Sequence, residues 1–241
     1  MKMIKLLFVG CTLFCLTGCL DMVEEMTLNR DGSGNYSLTF DMSSILEDPM
    51  MKGMMEQMMQ EQEGIDMGED GLEQDTVIYF KDSPELAELY EENPEFWDNV
   101  KMHTIMSESK KKMKVSMQFD FKSIDDINYF YQNLQKMGEK NQVSGGFLPL
   151  SNKGLFSMKR KQLVRAPVEV DTTNKSNNEE MEMAKMFFAT GTYQTIYHLP
   201  GKVKKSTIPD ATMDGKTVSI RHSLLDVMDG KAKLDGMIKF K

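Results

Sequence analysis

The chain has 241 residues, of which 40% are hydrophobic and 27% charged, and its 37 acidic side chains outnumber 29 basic ones for a net charge of −8. Such an excess of carboxylates repels phosphate backbones and anionic headgroups, so no nucleic-acid partner is expected. Its cysteines, Cys11, Cys15 and Cys19, all lie at the start, so the domain beyond them is expected to hold neither disulfides nor a cysteine metal site.

Lys2 and Lys5 head an apolar run from Leu6 to Leu16 that is too short to span a bilayer. It ends in Leu16-Thr17-Gly18-Cys19, a branched apolar residue and two small residues before a cysteine. The small pair lets extended backbone lie in a peptidase groove, and the thiol can accept a diacylglyceryl group. Residues 1–18 are therefore expected to be a lipoprotein signal peptide, and 19–241 a mature domain anchored by lipid on Cys19. Palmitate-like chains hold well, since each buried methylene contributes about 0.8 kcal/mol. The expected location is the cell envelope. Leu20, where an aspartate would retain the protein, points to an outer membrane facing the periplasm if the host has two membranes.

Val23 to Phe40 reads as a β-hairpin: Met26 and Leu28 alternate with polar residues, Asp31-Gly32-Ser33-Gly34 supplies the turn, and Tyr36, Leu38 and Phe40 resume the alternation. The turn begins like a calcium loop, but its twelfth position is Phe40 rather than a chelating glutamate. A helix is expected over 43–61, capped by Ser43 or Ser44, with Pro49 placed to divide it. Residues 63–74 are acidic and glycine-punctuated, a loop; a short strand follows at 75–80, then helical pieces at 84–91 and 94–98.

The second hairpin has the clearest alternation. Val100, Met102, Thr104 and Met106 lead out, and Met113, Val115, Met117, Phe119 and Phe121 return. Residues 123–137 place Ile124, Ile127, Phe130, Tyr131 and Leu134 on one helical face. A basic strand is expected over Leu155 to Val164, a loop over 171–180, a helix over 181–189, and strands at 192–199, 216–224 and 233–240, with one helical turn over Leu224 to Met228. Hairpins interrupted by helices indicate an α+β fold with an antiparallel sheet.

Met50, Met51, Met54, Met55, Met58 and Met59 form two adjacent rows on a helix, one broad thioether face. Three uses fit it: packing in place of leucine, an adaptable surface for a lipid or an envelope protein, and soft-metal binding such as Cu(I). With 24 methionines in the chain, the enrichment is general and packing leads. His103, His198 and His222 lie outside any metal-binding spacing, although His198 and His222 fall on strands that can neighbour each other. No phosphate loop, dinucleotide fingerprint or nucleophile elbow occurs. Carboxylate pairs such as Glu91-Glu92 and Asp125-Asp126 read as solvated faces. The expectation is a non-catalytic binding or structural module without cofactor or metal; the alternative is an envelope enzyme with an unrecognised carboxylate or histidine site.

Cys19 to Met42 resembles the start of Bacteroidetes-type lipoproteins, in which the lipid cysteine leads into a strand, an Asp-Gly-Ser-Gly turn and a second strand. Tyr197-His198-Leu199-Pro200-Gly201-Lys202-Val203, followed by Asp214-Gly215-Lys216-Thr217-Val218-Ser219-Ile220, is similar to the end of LppM-type lipoprotein domains. These stretches imply an envelope α+β domain that contacts lipid or glycolipid, and they bring no catalytic residues.

Overall fold

The computed structural model describes residues 20–54, 57, 73–82, 87–141, 155–167 and 188–241. The expected signal peptide, Cys19, the loop at 171–180, nearly all of the expected helix at 181–189 and the expected loop at 63–74 up to residue 72 lie outside the described residues, while Glu73 and Gln74 of that loop are strand.

The first hairpin forms as its alternation requires, with β1 (Asp21–Leu28) pairing β2 (Gly34–Asp41). Its turn is closed by Asp31, whose carboxylate accepts from the Ser33 amide at 3.1 Å and hydroxyl at 2.7 Å, with Gly32 at φ +93°. Gly34 is required by closeness: a Cβ there would lie 1.9 Å from the Thr27 carbonyl oxygen and 2.4 Å from the Phe121 ring. Strand β3 (Glu73–Tyr79) precedes helices α2 (Ala87–Glu92) and α3 (Pro94–Trp97). The second hairpin is β4 (Lys101–Ser107) and β5 (Lys112–Phe121), and the long helix α4 spans Ile124–Asn141.

The expected strand over 155–164 is instead a tight hairpin, β6 (Phe156–Lys159) and β7 (Gln162–Arg165). Arg160 turns the chain at φ +57°, a conformation arginine seldom signals in sequence. Then come β8 (Thr192–His198), β9 (Val203–Ser206), β10 (Thr212–Asp214), β11 (Thr217–Ser223), α5 (Leu224–Met228) and β12 (Gly236–Phe240). Strands β9 and β10 were not expected; they are short, largely exposed and without apolar alternation.

The strands form two sheets, an eight-stranded one in the order β10-β11-β8-β1-β2-β5-β4-β3 and a four-stranded one in the order β6-β7-β12-β9. The α+β expectation holds with one departure: β1 and β8 run parallel, Asp21 opposite Thr192 through Thr27 opposite His198. Helix α4 buries Ile124, Ile127, Phe130 and Tyr131, the face its periodicity marks. Around it Phe119 and Phe130 meet at 4.8 Å, and Trp97 stacks on Phe80 at 5.2 Å with the edge of Phe96 at 4.9 Å.

The helix expected over 43–61 is divided at Pro49, as that proline allows. A 3-10 turn, Ser43–Glu47, stops at Asp48, and α1 begins at Pro49 and is described over 49–54. Asp48 caps it, its carboxylate accepting from the amides of Met50 at 2.9 Å and Met51 at 3.2 Å, while proline at the first helical position loses no hydrogen bond. The Ser43 hydroxyl instead accepts from the Met113 amide at 3.1 Å. Asp48→Ala is expected to cost about 1 kcal/mol, read as a lowered urea midpoint with an unchanged slope.

Candidate functional site

Leu20, the residue after Cys19, is already part of the core. Its carbonyl accepts from the Thr192 amide at 3.2 Å, and Asp21 accepts from the Thr192 hydroxyl at 2.6 Å. Gly191 lies so close that a Cβ on it would sit 2.4 Å from the Leu20 carbonyl oxygen. The chain is thus fixed to the middle of the large sheet from Leu20 onward.

The methionine face is divided by its surroundings. Met50 is 64% exposed and Met54 half-buried, whereas Met51 is 6% exposed and packs with Ile45 and Met113 in a small second core. Met51 therefore faces this small core and β5, while its neighbour Met50 faces solvent. Met55, Met58 and Met59 lie outside the described residues.

The histidines do not converge. His198 sits opposite Thr217 and His222 opposite Tyr193, so they stand at opposite ends of the β8 and β11 pairing. His198 bonds Glu25 at 2.8 Å and Thr217 at 3.2 Å, and His103 bonds Asp75 at 2.7 Å. Among the described residues no three His, Cys, Asp or Glu side chains gather as metal ligands would.

Sequence reasoning missed the most concentrated chemistry in the interior. Glu24 on β1 is fully buried and Arg165 on β7 is 3% exposed, and they join the two sheets as an ion pair with Nη2 to Oε2 at 3.1 Å and Nη1 to Oε1 at 3.1 Å. Four phenols surround the pair. Arg165 donates to the hydroxyls of Tyr197 at 2.7 Å and Tyr193 at 3.1 Å, while Glu24 Oε2 accepts from the hydroxyls of Tyr193 at 2.5 Å and Tyr131 at 3.3 Å. Tyr36 and Tyr131 share a hydrogen bond of 2.5 Å.

Burial pushes the phenols of Tyr36, Tyr131, Tyr193 and Tyr197 well above the ordinary tyrosine range, and the Glu24 charge adds to this. Burial opposes the Arg165 charge, but Glu24 and the tyrosines more than offset it and hold the guanidinium protonated. The network therefore combines one anion, one cation and four neutral donors. Phe156 covers the guanidinium at 5.4 Å. One signal was present in sequence: Glu24 stands in phase with Met22, Met26 and Leu28, and Arg165 in phase with Leu163, charges on inward-facing positions.

No family model and no curated protein matches the chain. Among solved structures it is similar to the NMR structure of the folded domain of Mycobacterium tuberculosis LppM, with a TM-score of 0.46 and 8% identity over 95% of this chain and 94% of that one. That likeness transfers no residue role. Among the described residues, no helix is long and apolar enough to cross a membrane.

Proposed function

We propose that this chain is a lipid-anchored, non-catalytic binding or structural module of the cell envelope, acylated at Cys19. The observation that supports it most is the seating of Leu20: the residue bonded to Cys19 is 8% exposed, and the sheet begins at Asp21. A processed N-terminus at Cys19 leaves no loose leader and holds the domain directly against its bilayer. In a host with two membranes the reading places it on the outer membrane, facing the periplasm.

The interior favours a structural over a catalytic use of charge. Glu24 and Arg165 neutralise each other inside a shell of phenols between packed sheets, an arrangement suited to joining layers rather than to exchanging protons with a substrate. The exposed Met50 and the half-buried Met54 remain available for an adaptable apolar contact with a lipid or an envelope protein.

In cells fed labelled palmitate, the full-length protein is expected to carry label and to sediment with membranes. Cys19→Ser is expected to lose both, because two or three acyl chains anchor stably while a chain without them has no comparable burial. An unlabelled wild type, or a Cys19→Ser variant that sediments equally well, overturns the anchor.

A further inference from the structure

At the end of β1 far from Cys19, five separate segments border an open cleft with about 600 Å³ of space, within the usual size range of small-molecule sites. Arg30, Arg160, Lys161, Lys202, Lys216 and Lys241 line it, and no aspartate or glutamate does. Met158 and Phe240 add an apolar part to the lining. In a protein with a net charge of −8, random placement would not gather six cations about one opening. Like charges brought together repel, and an anion between them removes that cost.

Asp31, next to Arg30, is turned onto Ser33. Among the described residues, none of the six cations has an ion pair. Their backbones are pinned. The Lys161 carbonyl accepts from the Phe240 amide at 3.1 Å, the Lys202 carbonyl from the Lys241 amide at 3.0 Å, and the Lys216 carbonyl from the Leu199 amide at 2.9 Å. These bonds fix where the side chains leave the backbone, and their exposed charged ends are free to close on a ligand.

We infer that this cleft binds a compact, multiply charged anion of the phosphate-ester class, presented from the side of the domain that faces away from its own membrane. Arginine forks and lysine point charges together suit clustered phosphate oxygens. The five short segments bound a space of small-molecule size, which a compact ligand fills. The orientation rests on the Cys19 anchor proposed above: β1 runs from Asp21 at the anchored end to Leu28 beside the cleft, a rise of about 23 Å at roughly 3.3 Å per residue. With β1 standing away from the bilayer, this distance places the cleft beyond the headgroups of the anchoring leaflet.

Tripolyphosphate serves as the probe, titrated into the full-length acylated protein in phosphatidylcholine vesicles. Saturable binding is expected, weakening at least about tenfold as ionic strength rises from about 0.01 M to about 1 M and the screening length shrinks from about 30 Å to about 3 Å. Lys161→Gln with Lys202→Gln is expected to lower affinity roughly tenfold or more, since both would lose charge-assisted contacts. The charge-matched pair Lys81→Gln with Lys110→Gln, away from the cleft, should leave it unchanged.

Absence of saturable binding, or an equal loss in both pairs, overturns the site. Competition by phosphatidylglycerol placed in the same bilayer overturns the orientation. A Cys19→Ser protein that binds the probe as wild type does supports the cleft whatever its sedimentation shows, so failure of the anchor and failure of the cleft are told apart.

Discussion

Arg165→Met should destabilise the domain by about 3–5 kcal/mol, the usual cost of removing one partner of a buried ion pair and leaving the other uncompensated. Glu24 would then keep its full burial and lose both guanidinium contacts at 3.1 Å, retaining only phenolic donors. Tyr193 and Tyr197 would lose an ordered partner in the same step. Adding Glu24→Leu removes the stranded charge and replaces it with a side chain of similar volume on a face already lined by Met22, Met26 and Leu28. The double variant should therefore recover most of the loss. Urea unfolding of the wild type, both single variants and the double, followed by circular dichroism at neutral pH, checks this. If the double variant is as unstable as the sum of the singles, the pair does not act as a unit.

The same cluster sets an alkaline limit on stability. In the folded state burial raises the pKa values of Tyr36, Tyr131, Tyr193 and Tyr197 above the ordinary tyrosine value of about 10. Below pH 10 both folded and unfolded phenols are protonated, so these groups leave stability independent of pH. Above it the unfolded chain releases protons that the folded one retains, and stability falls as pH rises toward the folded values. Each tyrosine contributes a slope of up to about 1.4 kcal/mol per pH unit, all in one direction, so the four together make the transition steep. Equilibrium unfolding between about pH 9 and 12 should show this, and Tyr193→Phe should reduce the slope by about one tyrosine's share. An identical slope in that variant would mean that Tyr193 already ionises in the folded state.

Why some of this was visible in the sequence and some was not follows from the range of each signal. The hairpins at 21–41 and 101–121 and the apolar face of α4 depend on periodicity within a few residues, and they form where the alternation puts them. The break at Asp48 was half visible, since Pro49 marked it but the serines upstream competed as caps. The β6–β7 hairpin was hidden because Arg160 takes a left-handed conformation without a glycine or asparagine to announce it. Strands β9 and β10 are held by neighbours rather than by their own apolar pattern.

The sites divide in the same way. The methionine rows were evident, but which row turns inward depends on how α1 leaves its cap, and Met51 went to the core. Glu24 and Arg165 lie 141 positions apart, so their meeting is a property of the topology alone. The cationic cleft draws on positions from Arg30 to Lys241, and the net charge, being an average over the chain, conceals it.

The parallel pairing of β1 with β8 bears on how the domain is made. Strand β1 becomes an interior strand of the large sheet, with one of its two flanks, β8, supplied only after about 165 further residues have been synthesised. Until then that flank is an open row of amides and carbonyls, able to pair with a second unfinished chain. Loss of the region after Ala189 would make that exposure permanent, so truncated products are expected to be sticky intermediates destined for proteolysis rather than smaller folded domains.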